Sequence, residues 1–191
     1  MRKDVNRFQK ATMKVIKKKD EKVFNGKVFD LYKRTIKYPN GKESIYDVLT
    51  HNGAVAIVPV DKDLNFWFIK QYRPAIEDFL LEIPAGLIEL GEDPINCAER
   101  ETQEEIGLKP EKLTLLSEFY SAPGYSNEYM YLYLSEGLNQ SKLLEDSDEY
   151  IVEVVSYSLE EVKEKLRKNT FKDVKTIAGL LLAINKIDNR I

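Results

Sequence analysis

The 191-residue chain is 43% hydrophobic and 32% charged and has a formal net charge of −3, so it fits one domain, or one domain with a small appendage, that can bury a sizeable core. This charge balance gives no indication of a nucleic-acid-binding or membrane-binding protein. Because no apolar run approaches the roughly 18 residues of a membrane span and no signal peptide is recognisable, we expect a soluble, cytoplasmic protein.

Cysteine and histidine are almost absent, which excludes several classes of site. Cys97 is the single cysteine, so an intramolecular disulfide is excluded and a small packed residue is expected. His51 is the single histidine, which removes Ser-His-Asp catalysis in its usual form and argues against a His-rich zinc site.

The first 22 residues form a basic segment, with nine Lys or Arg and three Asp or Glu. Such a segment could bind nucleic acid or an acidic partner, but its apolar residues are sparse, so a solvated arm or an edge element fits better. We therefore divide the chain into a basic N-terminal arm at 1–22, a β region at 23–51 and a main domain at 52–191.

Short alternating strands follow the basic segment. Residues 27–38 and 43–51 flank the turn Pro39-Asn40-Gly41, which predicts a β-hairpin. Residues 54–60 and 65–71 are apolar runs on either side of a second turn, and they are predicted to form a central mixed sheet.

A carboxylate-rich helix is predicted after a further strand at 79–84. Asp93 and Pro94 are typical of a helix start, and Gly107 is typical of a helix end. The stripe that faces the core comprises Ile95, Ala98, Thr102 and Ile106. Glu101 and Glu105 fall together beside this stripe, and like charges four residues apart repel by about 0.2–0.5 kcal/mol. A solvated face is the ordinary explanation of such acids, and a bound divalent cation is the alternative.

Three strands and two helices are predicted beyond this helix. The strands are predicted at 113–120, 128–134 and 150–156, and the helices at 159–168 and 176–187. A loop at 121–124 separates the first two strands, and an acidic loop at 143–149 precedes the third.

The pattern of residues 86–108 is far more specific than an acidic helix alone. Its fixed positions are Gly86, Glu92, Arg100, Glu101, Glu104, Glu105, Gly107 and Leu108. This pattern resembles the Nudix box, the signature of Mg²⁺-dependent hydrolases that cleave nucleoside diphosphates linked to another moiety. Thr102 stands where the family prefers an aliphatic residue, although threonine can still pack on a helix's inner face. The resemblance implies an α/β fold class, a Nudix α/β/α sandwich with a mixed central sheet plus an N-terminal antiparallel β appendage.

The same resemblance implies which residues hold the cation. Glu101 and Glu105 would be direct ligands of Mg²⁺, or of Mn²⁺ as the alternative, with Glu104 and the backbone carbonyl of Ala85 beside them. Arg100 would organise the acids of the motif, although an ordinary helix salt bridge to Glu104 explains it equally well on sequence alone. Mg²⁺ takes carboxylate oxygens, waters and substrate phosphates as ligands, which suits hydrolysis of a pyrophosphate.

Two further motifs and one proline resemble ADP-ribose pyrophosphatases, the sugar-nucleotide branch of the superfamily. The motifs are Gln71-Tyr72-Arg73 and Glu82-Ile83-Pro84-Ala85-Gly86, and the proline is Pro123, 16 residues after Gly107. Arg73 would then contact the substrate, because a guanidinium suits phosphate or ribose; the alternative is a surface charge at a strand end. Glu82 is a candidate metal-site or substrate-site acid.

Two loops carry the remaining candidates. Tyr125 and Glu128 flank the loop of Pro123 and could line an adenine or ribose pocket, although aromatic residues beside a turn more often pack. In the family, the loop before the last strand carries the carboxylate that deprotonates the attacking water. Glu149 is our first candidate for this base, followed by Asp148 and Asp146.

The resemblance covers about residues 23–187 and predicts Mg²⁺-dependent hydrolysis of ADP-ribose to AMP and ribose 5-phosphate. Another nucleotide sugar, such as ADP-glucose or GDP-mannose, is an alternative substrate. A non-catalytic module that binds ADP-ribose is a second alternative, disfavoured because the box acids are all present. In ADP-ribose-type Nudix enzymes a leading sheet pairs with a second subunit, so we expect residues 23–51 to support a homodimer of the Nudix domain at 52–191. No nucleic-acid or membrane partner is expected.

Overall fold

The computed structural model describes residues 15–141 and 151–189, which divide into two compact units. The first unit comprises residues 15–51 and 122–128. The second comprises residues 52–121, 129–141 and 151–189. The chain thus leaves the second unit and re-enters it around a seven-residue insertion, 122–128.

The first unit is built on an antiparallel three-stranded sheet in the order β1-β2-β3. Its strands are β1 (Ile16–Asn25), β2 (Asp30–Lys37) and β3 (Glu43–Thr50). The predicted hairpin is confirmed: Gly41 adopts a φ of +83° in its turn, a conformation that glycine reaches without steric cost. The sequence analysis left two alternatives for the basic segment, a solvated arm or an edge element. Residues 16–22 lie in β1, which is an edge strand of this sheet.

The second unit contains a seven-stranded mixed sheet. Its strands are β4 (Ala54–Val60), β5 (Asn65–Arg73), β6 (Asp78–Glu82), β7 (Ala85–Leu87), β8 (Leu108–Tyr120), β9 (Tyr129–Gln140) and β10 (Ile151–Ser158). The main path runs β10-β5-β4-β9-β8, with β6 paired to β5 and β7 to β4. Strands β4 and β9 run parallel, and the other pairs are antiparallel.

The described residues of the second unit also form three helices, whose first residues follow local capping signals. They are α1 (Pro94–Ile106), α2 (Leu159–Arg167) and α3 (Val174–Asp188). Asp93 caps α1 by accepting a hydrogen bond from the Ile95 N–H, and Asp173 caps α3 in the same way from the Thr176 N–H. Ser158 begins α2 with a capping box to Glu161.

Strand β4 separates two apolar layers because alternate side chains point to opposite faces of the sheet. Val55 and Ile57 pack with Cys97 of α1. Ala56 and Val58 belong to the larger cluster, with Leu180, Ala183 and Ile184 of α3. The predicted fold class, an α/β/α arrangement with a mixed central sheet and a separate antiparallel sheet, is confirmed.

Two local features differ from the sequence-based expectation. The sequence analysis assigned no strand between residues 79–84 and the helix, but residues 85–87 form β7 because they pair with β4. Ile95 was predicted to face the core, but its exposed fraction is 43%, because buried Cys97 and Ala98 fill the core beneath the start of α1. No helix in the described residues has the length and apolar character that a membrane crossing requires.

Candidate active site

Helix α1 places two carboxylates on the side that meets β7. Glu101 and Glu105 lie one helical turn apart and expose only 9% and 6% of their surface. The Ala85 N–H donates a hydrogen bond to Oε2 of Glu105 at 3.0 Å, which attaches the strand to the helix. The predicted ligand positions Ala85, Glu101 and Glu105 are therefore neighbours in the structure.

Gly86 provides the space that Glu101 occupies. A Cβ atom at this position would lie 1.9 Å from Cδ and 2.0 Å from Oε1 of Glu101, far inside van der Waals contact. Only glycine therefore lets the Glu101 carboxylate rest against the backbone of β7.

The Arg100 guanidinium binds three acids of the segment, Glu92, Glu101 and Glu104. Its Nε and Nη2 each donate to Glu92 at 3.0 Å. Its Nη1 donates to Oε1 of Glu101 at 2.6 Å and to Oε2 of Glu104 at 2.9 Å. Arg100 thus pairs with three acids of the motif, and the helix salt bridge to Glu104 is one part of this arrangement.

These contacts fix the ionisation of Glu92 and Arg100. The hydrogen bonds from Arg100 lower the pKa of Glu92 to about 2, although partial burial acts in the opposite direction. The same hydrogen bonds raise the pKa of the Arg100 guanidinium above its ordinary value. Burial raises the pKa of the Cys97 thiol, so this residue remains a neutral packed thiol beside the cluster.

The donor set fits a hard divalent cation. Mg²⁺ prefers carboxylate oxygens as ligands. The carboxylates of Glu101 and Glu105 are buried, and that of Glu101 lies against the backbone of Gly86. Within residues 15–141 and 151–189, no group of three Asp, Glu, His or Cys side chains is arranged so that it could hold a metal ion. The carboxylates of Glu101 and Glu104 are instead paired with the Arg100 guanidinium.

Arg73 and Glu82, the candidates from the two upstream motifs, lie on paired strands and bind each other. Nε and Nη2 of Arg73 donate to the two carboxylate oxygens of Glu82 at 2.8 Å and 2.7 Å. The Arg73 side chain is 34% exposed, whereas that of Glu82 is 1% exposed. The substrate-site roles of both residues stay predictions.

A third charged residue, which the sequence analysis assigned no role, completes this pair. Lys175 of α3 donates to Glu82 and, at 3.0 Å, to Asp173. The signal available in the sequence was an Asp–X–Lys–Thr run at the start of an apolar helix, where a lysine is hard to explain as a surface residue.

Three substrate candidates belong to the first unit. Pro123, Tyr125 and Glu128 lie in the 122–128 segment, and the Tyr125 carbonyl accepts a hydrogen bond from the Leu49 N–H at 2.8 Å. Nε2 of His51 lies 3.7 Å from Glu128. The proposed contacts of these residues with substrate stay predictions.

The three base candidates, Glu149, Asp148 and Asp146, fall outside the described residues.

The chain is similar to known proteins in sequence and in structure. The NUDIX domain family matches residues 50–178. An ADP-ribose pyrophosphatase of Bacillus subtilis is 39% identical over 158 residues, 82% of this chain and 85% of the relative. A methanol dehydrogenase activator of Bacillus methanolicus is 34% identical over 175 residues, 91% of each chain. A crystal structure of an ADP compounds hydrolase superimposes with a TM-score of 0.85 and 26% identity, covering 95% of this chain and 98% of the other.

Proposed function

We propose that this chain, which belongs to the Nudix family of hydrolases, hydrolyses the pyrophosphate bond of ADP-ribose. The reaction would require Mg²⁺ and would give AMP and ribose 5-phosphate. The observation that carries the proposal is the pair of buried carboxylates, Glu101 and Glu105, held against the Ala85–Gly86 backbone. The names of the Bacillus subtilis relative and of the ADP compounds hydrolase support the choice of an ADP-linked substrate.

The reaction requires help because water must attack a phosphorus surrounded by anionic oxygens. Bound Mg²⁺ would screen that charge and hold the phosphates in line with the attacking water. Glu101 and Glu105 would hold the cation, with the Ala85 carbonyl as a further ligand. Arg100 keeps Glu92, Glu101 and Glu104 in a fixed arrangement through its four hydrogen bonds to them.

The proton of the attacking water needs an acceptor separate from these acids. We assign this role to a carboxylate of the acidic loop, with Glu149 first, then Asp148 and Asp146. The oxygen of water then bonds to phosphorus as the bridging P–O bond breaks, and the two monophosphates leave as products.

The first test is a substrate panel with the wild type and Glu105→Gln. The panel comprises ADP-ribose, ADP-glucose, GDP-mannose, NADH and diadenosine polyphosphates, with Mg²⁺ present and the products separated by chromatography. We expect ADP-ribose to lead and Glu105→Gln to lose at least about 100-fold in kcat. Glu99→Gln is the matched control, since Glu99 lies on the same helix but pairs with Lys109 at 2.8 Å.

The outcomes of the panel discriminate between the alternatives. A faster turnover of ADP-glucose or GDP-mannose would transfer the proposal to that nucleotide sugar. Full activity of Glu105→Gln would contradict the assigned metal ligand.

We further propose that the protein is a cytoplasmic homodimer that pairs through its three-stranded sheet. The support is that this sheet leaves large apolar side chains exposed, among them Ile45 at 68% and Phe24 at 54%. Sedimentation equilibrium should give about twice the 22.1 kDa chain mass, and Ile45→Lys should shift the equilibrium toward monomer. A wild type that sediments as a monomer would contradict the dimer.

A further inference from the structure

A group of four charges, two of them buried and two half-buried, lies where the start of α3 meets β5 and β6. Its members are Arg73, Glu82, Asp173 and Lys175, two cations and two anions. Glu82 accepts from both cations, and Lys175 donates to both anions. Glu82 and Lys175 are 93 residues apart in the sequence, so the tertiary fold alone brings them together.

We propose that Lys175, held by Asp173, is a positioning residue that orients Arg73 toward the phosphates of the substrate. The proposal rests on the proposed function, because it takes Arg73 as a substrate contact. Lys175 itself is buried, with 9% of its surface exposed, and acts through Glu82.

The geometry of the Arg73–Glu82 pair explains why orientation depends on Glu82. Two parallel hydrogen bonds, from Nε and Nη2, fix the plane of the guanidinium as well as its position. A guanidinium held in this way meets a phosphate with little loss of side-chain entropy. The direction in which Arg73 points is therefore set by the carboxylate of Glu82.

Lys175 in turn helps to keep the Glu82 carboxylate ionised and in place. A buried carboxylate needs enough partners to replace water, and Lys175 is the second cation that hydrogen bonds to it. Although burial raises it, the pKa of Glu82 lies below its ordinary value because of the hydrogen bond from Arg73 and the charge of Lys175. Glu82 therefore remains a carboxylate that can hold the guanidinium.

The start of α3 also contacts the backbone just before β7, the strand beside the proposed cation site. Oδ2 of Asp173 accepts from the Thr176 N–H at 3.0 Å and from Lys175 at 3.0 Å. Oγ1 of Thr176 accepts a hydrogen bond from the Ile83 N–H at 3.0 Å. One helix terminus thus sets both the Arg73–Glu82 pair and the backbone that leads through Ile83 to Ala85.

The test compares four proteins in steady-state hydrolysis of ADP-ribose with saturating Mg²⁺: the wild type, Lys175→Met, Lys175→Arg and Lys163→Met. Lys163 is the matched control because it pairs with Asp188 near the other end of α3, at 3.1 Å. We expect Lys175→Met to raise KM by about tenfold with kcat within about threefold, because substrate binding loses its oriented guanidinium. Lys175→Arg should have a KM close to the wild-type value, and Lys163→Met should have the same KM and kcat as the wild type.

A merely structural role for Lys175 would give a different result. In that case Lys175→Met would lower only the active fraction, so kcat would fall while KM stayed at the wild-type value, and this result would overturn the proposal whatever the change in Tm. If Lys175→Met does not fold, Asp173→Asn decides, because asparagine retains the helix cap but removes the charge that holds Lys175. We expect it to raise KM by about threefold, and an unchanged KM would overturn the proposal.

A second readout does not depend on turnover. In ¹⁵N-labelled protein, the Arg73 Nε–H resonance, assigned by its loss in Arg73→Lys, should be sharp and slow to exchange in the wild type. It should broaden or shift in Lys175→Met and stay unchanged in Lys163→Met. If the wild type fails to hydrolyse ADP-ribose, the proposed function fails, and this resonance still decides whether Lys175 orients Arg73. An unchanged resonance in Lys175→Met overturns the positioning role.

Discussion

Two arginines in the second unit show how the number of partners around a guanidinium changes its role. Arg100 is shared by three carboxylates, and Glu105 lies one helical turn from Glu101 on the same helix. Among the described residues, Arg73 pairs with the carboxylate of Glu82, which also binds Lys175. The Arg100 cluster therefore carries an excess of negative charge, whereas the described members of the Arg73 group are two cations and two anions.

This difference distinguishes the proposed cation site from the group around Arg73. Carboxylates in excess repel one another, and a divalent cation relieves that repulsion. The group around Arg73 needs no further cation, but losing one member leaves buried Glu82 or Lys175 without a compensating charge. We therefore expect changes in the first cluster to affect activity and changes in the second to affect stability and orientation.

The largest expected effect is on activity and comes from Gly86→Ala. The new Cβ would occupy the position of the Glu101 carboxylate, which is the flexible end of its side chain and must move away. We expect kcat for ADP-ribose to fall by about 100-fold or more, with Tm nearly unchanged. Leu87→Ala, at the exposed end of the same strand, is the control and should keep its activity. Activity near the wild-type level in Gly86→Ala would contradict the site.

The group around Arg73 predicts a stability effect of Glu82→Gln. Losing the charge leaves Arg73 and Lys175 without their shared anion, so we expect about 3 kcal/mol less free energy of unfolding at pH 7. Urea denaturation measures this loss, and the exposed Glu160→Gln should change little. A Glu82→Gln protein as stable as the wild type would show that the group contributes nothing to stability.

The same variant predicts a change in the pH dependence of stability. The pKa of Glu82 is lower in the folded protein than its ordinary value of 4.5, so the folded state binds fewer protons than the unfolded state in this range. Its stabilising contribution is therefore complete above pH 4.5 and is lost as the pH falls through the lower folded pKa. Urea titrations between pH 6 and pH 3, roughly the range of carboxyl titration, should be less steep for Glu82→Gln than for the wild type. Equal slopes would contradict the shift.

The unbalanced cluster predicts a moderate effect of Mg²⁺ on the stability of the free enzyme. A cation at ten times its dissociation constant adds about 1.4 kcal/mol to the free energy of unfolding, which corresponds to a few degrees in Tm. We expect this rise in the wild type and in Glu99→Gln, and its absence in the double variant Glu101→Gln/Glu105→Gln. Matched ionic strength with a monovalent salt separates binding from screening. An equal rise in the double variant would place the cation elsewhere.

The smallest expected effect concerns an exposed ion pair and tests whether burial is decisive. Lys163 and Asp188 are partly exposed, so Lys163→Met should change the free energy of unfolding by less than about 0.5 kcal/mol. Lys175→Met should cost more, because Lys175 is buried. Equal losses of stability in the two variants would remove the distinction between buried and exposed pairs.

Features that depend on neighbouring residues were predictable from the sequence by itself. The bounds of α1 follow from Asp93, Pro94 and Gly107, whose capping and turn preferences act within one helical turn. The hairpin around Gly41 and the apolar runs of β4 and β5 are equally local. The residue pattern of 86–108 also resembles the family signature, and helical geometry separately places Glu101 and Glu105, four residues apart, on one face.

Features that depend on distant partners were decided by the tertiary structure. Strand β7 exists because β4 pairs with it, and three residues carry too weak a local signal to predict it. Gly86 is needed because Glu101, on another element, rests against it. Lys175 reaches Glu82 across 93 residues, and no local preference encodes a buried ion pair between two elements. Helix and strand signals extend over a few residues, whereas burial and charge balance depend on the packed fold.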